Sequence, residues 1–250
     1  MRDEILIEIC IDSIASAVAA ERGGAKRVEL CSDLLEGGIT PSAGMIELVR
    51  ERVAIAIQVM IRPRGGDFCY EADEFEIMRR DIAVAKSLGA DGVVLGILDA
   101  DGNVDIERAR RLVELARPLE VTFHRAFDMS ADLFRSLEDV CATGADRILT
   151  SGGQPTALQG LKAIADLVKA AAGRIAIMPG SGIKAENARR IVTESGVREI
   201  HAGLGNSVAG PMRFRNPQLS MGKATEREYQ RTIVLEENVR SLCAAVARRN

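Results

Sequence analysis

Short apolar runs alternate with longer amphipathic runs along almost the whole chain, and this alternation is the feature that most constrains its fold. Eight short runs predict β-strands, at Ile5–Cys10, Arg27–Cys31, Ile55–Ile61, Gly92–Leu95, Val121–His124, Arg147–Thr150, Arg174–Met178 and Glu199–His201. Eight longer runs predict helices, at Ser13–Arg22, Ala43–Arg52, Asp73–Leu88, Ile106–Ala116, Ala131–Thr143, Ala157–Ala172, Ala185–Ser195 and Glu226–Arg248. A strand–helix unit repeated about eight times predicts an α/β protein with a closed (β/α)8 TIM barrel.

The domain organisation follows from the same repeat. An open doubly wound sheet is the alternative architecture, but it usually needs fewer strands than this sequence offers. No proline-rich or serine-rich linker divides the chain. We therefore expect residues 1–250 to form a single TIM-barrel domain.

Composition narrows the classes of function. The net charge is -3, and no basic tract or basic-aromatic stripe is present, so nucleic-acid binding is not expected. No apolar run approaches the ~20 residues that a membrane helix needs, so a membrane-bound protein is not expected either. The five cysteines are scattered and odd in number, which is typical of a protein in a reducing cytoplasm.

The first three strands alternate between an aliphatic face and a polar face. In the first strand, Ile5, Ile7 and Ile9 share one parity, whereas Glu8 and Cys10 share the other. The same alternation in the next two strands assigns to the polar face Arg27, Glu29, Cys31, Gln58, Met60 and Arg62. Because helices surround the barrel, we expect the aliphatic face to point outward and the polar face to point into the interior.

Polar side chains therefore collect at the carboxyl ends of the strands, where TIM-barrel enzymes keep their chemistry. The candidates are Glu8, Cys10, Glu29, Cys31, Arg62, Arg64, His124, Arg125, Asp128, Thr150, Ser151 and His201. Each of them alone could be an ordinary satisfied polar group, but their convergence favours a binding or catalytic site. Because buried carboxylates need nearby cations, we expect Arg62 and Arg64 to pair with Glu8 and Glu29.

Two cysteines end adjacent predicted strands with matching parity. Neighbouring strands lie ~4.8 Å apart, so the sulfur atoms of Cys10 and Cys31 could approach each other. Two thiolates suit Cu(I), and Met60 on the third strand could add a thioether. The alternative is that both cysteines are small buried hydrophobic residues.

Glycine-rich turns follow the last three predicted strands, in "TSGGQ", "MPGSGI" and "HAGLGNS". Such turns in a TIM barrel often hold a phosphate with backbone N–H groups, which indicates Ser151, Gly152, Gly180, Ser181 and Gly182 as candidate anion-binding residues. The alternative is that the glycines only make tight connections.

The sequence as a whole resembles the CutC family, named for copper homeostasis. The resemblance rests on "EICIDS", "RVELCSDLLEGGITPS", "VMIRPRGGDFCY", "GADGVVLGIL", "VTFHRAFD", "RILTSGG", "IMPGSGI" and "FRN", in the order in which the family has them. It implies a cytoplasmic TIM-barrel protein, a homo-oligomer and a role in copper handling, with Cys10 and Cys31 matching the proposed Cu(I) ligands of the family. Ser181 and "AGLGNS" after His201 depart from the family pattern, which weakens the prediction of an anion contact in the last loops.

Two hypotheses of function follow. The first is a cytoplasmic copper homeostasis protein of the CutC type that binds Cu(I) through Cys10 and Cys31. The second is an enzyme acting on a small anionic or phosphorylated metabolite. Its catalytic residues would come from His124, Glu29, Glu8, Arg125, Asp128 and His201, while Arg62, Arg64 and the glycine turns would hold the anion.

Overall fold

Eight parallel strands form the sheet at the centre of the computed structural model, which describes residues 5–219, 221 and 225–247. These strands are β1 (Leu6–Ile11), β2 (Arg27–Leu30), β3 (Ala56–Met60), β4 (Gly92–Leu95), β5 (Glu120–Phe123), β6 (Arg147–Thr150), β7 (Ala176–Pro179) and β8 (Glu199–Ala202). Their hydrogen-bonded order is β7-β6-β5-β4-β3-β2-β1-β8, and β7 also lies beside β8. The sheet therefore curls into a nearly closed barrel, which confirms the predicted TIM-barrel fold.

Helices return the chain from the carboxyl end of each strand to the start of the next. They are α1 (Ile14–Arg22), α2 (Ala43–Arg52), α3 (Ala72–Ser87), α4 (Ile106–Ala116), α5 (Leu133–Thr143), α6 (Leu161–Ala171), α7 (Ala185–Ser195) and α8 (Glu236–Val246). Side-chain oxygens cap several helix N-termini; Asp132, for example, accepts hydrogen bonds from the amides of Phe134 and Arg135. Among the described helices, none is both long enough and apolar enough to cross a membrane.

The outward face of the barrel makes the main hydrophobic core. Ile7, Ile9 and Ile11 of β1 are buried among the helices, together with the aliphatic residues of the other strands. Glu8, on the opposite parity, is also fully buried but belongs to the barrel interior. The predicted division into an aliphatic outer face and a polar inner face is confirmed.

The predicted helix Glu226–Arg248 begins ten residues late, and a β-hairpin takes its first part. Strands β9 (Gly205–Ala209) and β10 (Gln230–Val234) pair antiparallel to form this hairpin. The Val234 amide donates to Ser16 Oγ at 3.0 Å, which fixes β10 against α1. The predicted end of the helix, Arg248, lies outside the described residues.

Helix α6 also begins later than the pattern predicts, at Leu161 instead of Ala157. Residues 152–160 form turns that pack against the loop after β7, where the Ala157 amide donates to the Ser181 carbonyl at 3.0 Å. A tertiary contact therefore replaces the first turn of the predicted helix.

Candidate functional site

The barrel interior ends in a cluster of acids, thiols and a histidine. Strands β2, β1 and β8 are adjacent in the sheet, and their inward-facing side chains form this cluster. β1 contributes Glu8 and Cys10, β2 contributes Glu29, and β8 contributes His201. Cys31 follows directly after β2. Potential ligand atoms of Glu8, Glu29 and His201 lie within 4.8 Å of one another, and so do those of Cys10, Glu29 and Cys31. Five residues predicted from separate sequence motifs thus meet in one place.

Glu8 is charged although it is fully buried. Its carboxylate accepts hydrogen bonds from Arg27 Nε and from His201 Nδ1, the second at 2.8 Å. Burial raises the pKa of Glu8, but the hydrogen bond from His201 and the charge of Arg27 outweigh it and lower that pKa to about 2. The expectation that Arg62 and Arg64 pair with Glu8 and Glu29 is therefore wrong. Arg27 and His201 compensate Glu8, and Glu29 lies beside His201.

His201 lies between the two glutamates. Its Nε2 is 3.6 Å from a Glu29 carboxylate oxygen, on the other side of the ring from Glu8. Burial alone would lower the pKa of His201, but Glu29, Cys10 and Glu8 together raise it well above its ordinary value. Burial raises the pKa of Glu29, and the nearby Cys10 and Glu8 charges act in the same direction. The Glu29 carboxyl and the His201 imidazole thus lie side by side, and the pKa of each is raised above its ordinary value.

The two cysteines differ in their protonation. The pKa of Cys10 is lowered to about 5, first by a hydrogen bond from Cys31 and then, against the effect of burial, by His201. The pKa of Cys31 is raised, because it donates that hydrogen bond and is buried. Cys10 is therefore the thiolate of the pair at neutral pH, and Cys31 carries the proton.

Gly38 allows the loop after β2 to pass close to this sulfur pair. Its backbone has φ +90°, and a Cβ atom there would lie 3.1 Å from Cys31 Sγ. Cys31, Met60 and Val94 form a small apolar cluster, against which Cys10 and Leu34 pack. The sulfur atoms are consequently shielded from water on the β3 and β4 side.

A cavity of about 1220 Å³ opens above the cluster. Its walls come from the loops after β2, β3, β4 and β5, and its floor includes Cys10, Glu29, Met60 and His201. Cys31 is buried behind this floor. The cavity is far larger than a metal ion requires.

His124, at the end of β5, is buried in the wall of the cavity. Its Nδ1 accepts a hydrogen bond from the Ala126 amide at 3.2 Å, whereas its Nε2 has no hydrogen-bonding partner. Burial and the charge of Arg62 lower the pKa of His124 to about 3. The ring is neutral at physiological pH, and because Nδ1 is an acceptor, Nε2 carries the hydrogen.

Arg125 and Asp128 stabilise the loop after β6. Arg125 donates to Asp128 at 2.7 Å and to Ser151 Oγ at 2.8 Å. The Asp128 carboxylate also accepts from Thr150 Oγ1 and from the Ser151 and Gly153 amides. Both side chains line the cavity, but their hydrogen bonds already hold two loops together.

Arg62 and Arg64 both line the cavity and have different partners. Arg62 donates to the carbonyl oxygens of Glu36, Gly38 and Gly66, and its Nε has no partner. Arg64 forms ion pairs with Glu74 at 2.5 Å and Asp67 at 3.1 Å. Of the two arginines, only Arg62 has a donor left for a ligand.

The candidate anion-binding residues of the glycine turns do not line this cavity. They are Ser151, Gly152, Gly180, Ser181 and Gly182. A Cβ atom at Gly152 would lie 2.6 Å from the Gly160 carbonyl oxygen, so the loop needs glycine there for packing. Ser181 Oγ donates to the Pro155 carbonyl at 2.8 Å. These contacts provide the tight connection that the sequence left as an alternative.

The sequence reasoning missed an ion-pair network below the cluster. Arg27 and Arg147 both donate to Glu199, and Arg147 also donates to Glu120 at 3.2 Å. The inward parity of Arg27 was visible in the sequence. Glu120 and Glu199 are the first residues of β5 and β8, and the closed barrel brings both carboxylates to Arg147.

Comparisons with known proteins agree with this architecture. The sequence model of the CutC family matches residues 5–206. The "Copper homeostasis protein cutC homolog" of Mus musculus is 50% identical over 240 residues, covering 96% of this chain and 88% of the mouse protein. A CutC family protein of Chromobacterium violaceum is 47% identical, covering 96% of this chain and 98% of that protein.

A solved structure also shows similarity to the CutC family. The crystal structure of a CutC protein from Streptococcus agalactiae superposes with a TM-score of 0.75 at 38% sequence identity, covering 79% of this chain and 98% of that one. Sequence and structure thus agree, and the chain belongs to the CutC family.

Proposed function

We propose that this chain is a copper homeostasis protein of the CutC type that binds Cu(I) as its cargo through Cys10 and Cys31. The observation that carries the proposal is the approach of the two sulfur atoms, which with a Glu29 oxygen lie within 4.8 Å of one another. The names of the mouse and bacterial relatives support copper as the metal.

The chemistry of the cysteine pair suits a soft monovalent ion. Cu(I) prefers sulfur ligands, and Cys10 is already a thiolate at neutral pH. Binding would displace the proton of Cys31. Met60 lies in the same apolar cluster and offers a thioether. The group formed by Glu8, Glu29 and His201 is a poorer metal site, because Glu8 is already engaged by Arg27 and His201.

Copper titration under reducing conditions, against a competing Cu(I) chelator, tests the proposal. We expect the Cys10→Ser, Cys31→Ser double variant to lose more than about 100-fold in affinity, because even outer-shell substitutions at metal sites cost 10–100-fold. Cys69→Ser is the matched control, since Cys69 is an exposed thiol on the same cavity. Unchanged affinity in the double variant would show that these residues are not the ligands.

We also propose a cytoplasmic location and a homo-oligomeric state. All five cysteines are free, which suits a reducing compartment. Four large apolar side chains are exposed in the segment between β9 and β10, namely Met212, Phe214, Leu219 and Met221. Exposed apolar side chains at this density favour contact with another copy of the chain.

A second candidate function is an enzyme that acts on a small anionic metabolite. The size of the cavity favours it, since a copper carrier has no need of about 1220 Å³. The adjacent Glu29 carboxyl and His201 imidazole, both on the cavity floor, could transfer protons. Mass spectrometry of incubated metabolite mixtures tests this function. We expect a compound that the wild type consumes and the Glu29→Gln variant does not, whereas mixtures left unchanged by the wild type would argue against the function.

A further inference from the structure

Unpaired polar atoms are concentrated around the large cavity. Within residues 5–219, 221 and 225–247, five buried side-chain polar atoms lack a hydrogen-bonding partner. Four of them belong to residues that line the cavity, namely Glu29, Arg62, Tyr70 and His124. Buried polar groups are normally paired, because an unmade hydrogen bond is costly. Four such groups around one cavity indicate that a ligand completes them.

Three of these groups are hydrogen-bond donors. Arg62 has a free Nε–H, and the neutral His124 ring has a free Nε2–H. Burial raises the pKa of Tyr70 to about 12, although Arg62 acts in the opposite direction, so its hydroxyl keeps its proton. A group that accepts several hydrogen bonds at once is the chemical complement of these three donors.

The charge of the cavity decides between the possible acceptors. The Arg62 guanidinium donates to carbonyl oxygens, and no carboxylate among the described residues forms an ion pair with it. Arg64 and Arg125, by contrast, are already paired with carboxylates. Further acids line the walls, namely Glu36, Asp67, Glu71, Glu74 and Asp99. One unpaired cation among so many acids suits a ligand with one negative charge and disfavours a doubly charged phosphate.

The apolar residues that line the cavity predict that the ligand also has an apolar part. Met60, Phe68, Leu98, Met129 and Leu149 all face the cavity. The Phe68 ring also packs on the polar anchor, 4.9 Å from Arg62 Cζ and 5.0 Å from the His124 ring centroid. An aromatic ring thus lies beside both side chains that carry the free N–H groups.

We propose that the cavity binds a small monocarboxylate with an apolar body, whose carboxylate accepts hydrogen bonds from Arg62 Nε, Tyr70 Oη and His124 Nε2. Carboxylates accept up to four such bonds in one plane. The inference goes beyond copper binding, and it concerns the same cavity as the second candidate function without requiring a reaction.

Calorimetric titration with straight-chain monocarboxylates of about two to eight carbons, and with the matching neutral amides, tests the proposal. We expect at least one carboxylate to bind about tenfold or more tightly than its amide, because hydrogen bonds to a charged group are the stronger ones. Inorganic phosphate should bind more weakly than that carboxylate. Equal binding of acid and amide, tighter binding of phosphate, or no binding of any acid would overturn the proposal.

The substitution Tyr70→Phe separates a ligand anchor from a structural residue. It removes an unpaired hydroxyl, so the affinity for the carboxylate should fall about tenfold while the melting temperature of the free protein rises by roughly 2–4 °C. Tyr229→Phe is the matched control, because the only other tyrosine accepts a hydrogen bond from the Asn216 amide at 2.7 Å. It should lower the melting temperature and leave carboxylate affinity unchanged. Unchanged affinity in Tyr70→Phe would overturn the proposed anchor.

The carboxylate site and the copper site can fail separately. The Cys10→Ser, Cys31→Ser variant lacks both proposed copper ligands but keeps all three donors. It should bind the carboxylate within about twofold of the wild type. A loss of carboxylate binding in this variant would contradict the assignment to Arg62, Tyr70 and His124.

Discussion

Asp128 is a single residue whose carboxylate organises one side of the cavity. It accepts hydrogen bonds from Thr150 Oγ1 at 2.5 Å, the Ser151 amide at 2.9 Å and the Gly153 amide at 3.0 Å. The substitution Asp128→Asn would place an NH2 group opposite some of these donors. We expect it to lower the free energy of unfolding by about 2–3 kcal/mol, measured by urea denaturation.

Asp67→Asn is the control for this prediction, because Asp67 also lines the cavity but its side chain is 75% exposed. Its effect on the free energy of unfolding should be much smaller than that of Asp128→Asn, because ion pairs between exposed side chains contribute little to stability. If Asp128→Asn were as stable as the wild type, the loop would not depend on this carboxylate.

At the scale of single residues, the sequence identified the polar residues that line the cavity better than it identified their hydrogen-bonding partners. The stretch "VTFHRAFD" put His124, Arg125 and Asp128 together, and all three line the cavity. A short 3-10 turn from Arg125 to Met129 then brings Arg125 and Asp128 onto each other and away from the His124 ring. Alternation along a strand shows which side chains point inward, but a pairing also depends on the stagger of neighbouring strands.

Among the secondary-structure elements, the barrel strands were predictable, and the segment before α8 was not. The β-branched run Thr232, Ile233 and Val234 was a sign of a strand, but charged residues around it completed a helical pattern. What decides between the two is the partner strand β9, which pairs with β10 in antiparallel register. That pairing is a non-local contact, which a local pattern does not show.

The segment between β9 and β10 leads to a prediction about assembly. Phe214 is 70% exposed between β9 and β10, next to other exposed apolar side chains. If this segment contacts another copy of the chain, Phe214→Asp should shift the protein toward a single-chain mass, because a charge buried in an interface is costly. Light scattering coupled to size-exclusion chromatography measures the mass.

Phe134→Asp is the matched control, since Phe134 is 48% exposed on α5, in a different element. It should leave the oligomeric state unchanged. A wild-type protein that elutes with the mass of one chain would refute the proposed homo-oligomer.

At the scale of the whole molecule, the barrel encloses a chain of buried charges from its base to the cavity. Arg147 and Arg27 meet at Glu199, Arg27 continues to Glu8, and Glu8 holds His201 under the cavity. Each charge has an opposite partner, which is the condition for keeping it in a low-dielectric interior. This series of ion pairs connects strands from opposite sides of the barrel. We therefore propose that residues 1–250 unfold as one domain in a single cooperative transition.

The two histidines give this molecule a predictable response to acid. The folded-state pKa of His124 is about 3, against an ordinary value of 6.5, so below pH 6.5 the unfolded chain binds a proton there that the folded chain does not. Stability should therefore fall as the pH decreases from 6.5, by about 2 kcal/mol between pH 6.5 and 4.5 from this residue alone. The lowered pKa of Glu8, about 2 against 4.5, adds a further loss below pH 4.5.

Urea denaturation at pH 7.5, 6.5, 5.5 and 4.5 measures this acid response, and His124→Gln should flatten it because glutamine does not take up a proton. His201 provides the opposite case, since its pKa is raised in the folded state. Its stabilising contribution is complete below pH 6.5 and is lost as the pH rises through the folded-state value. The cost of His201→Gln should therefore be largest in acid and shrink toward alkaline pH. If His124→Gln kept the full acid dependence of the wild type, another group would have to be the one that takes up the proton on unfolding.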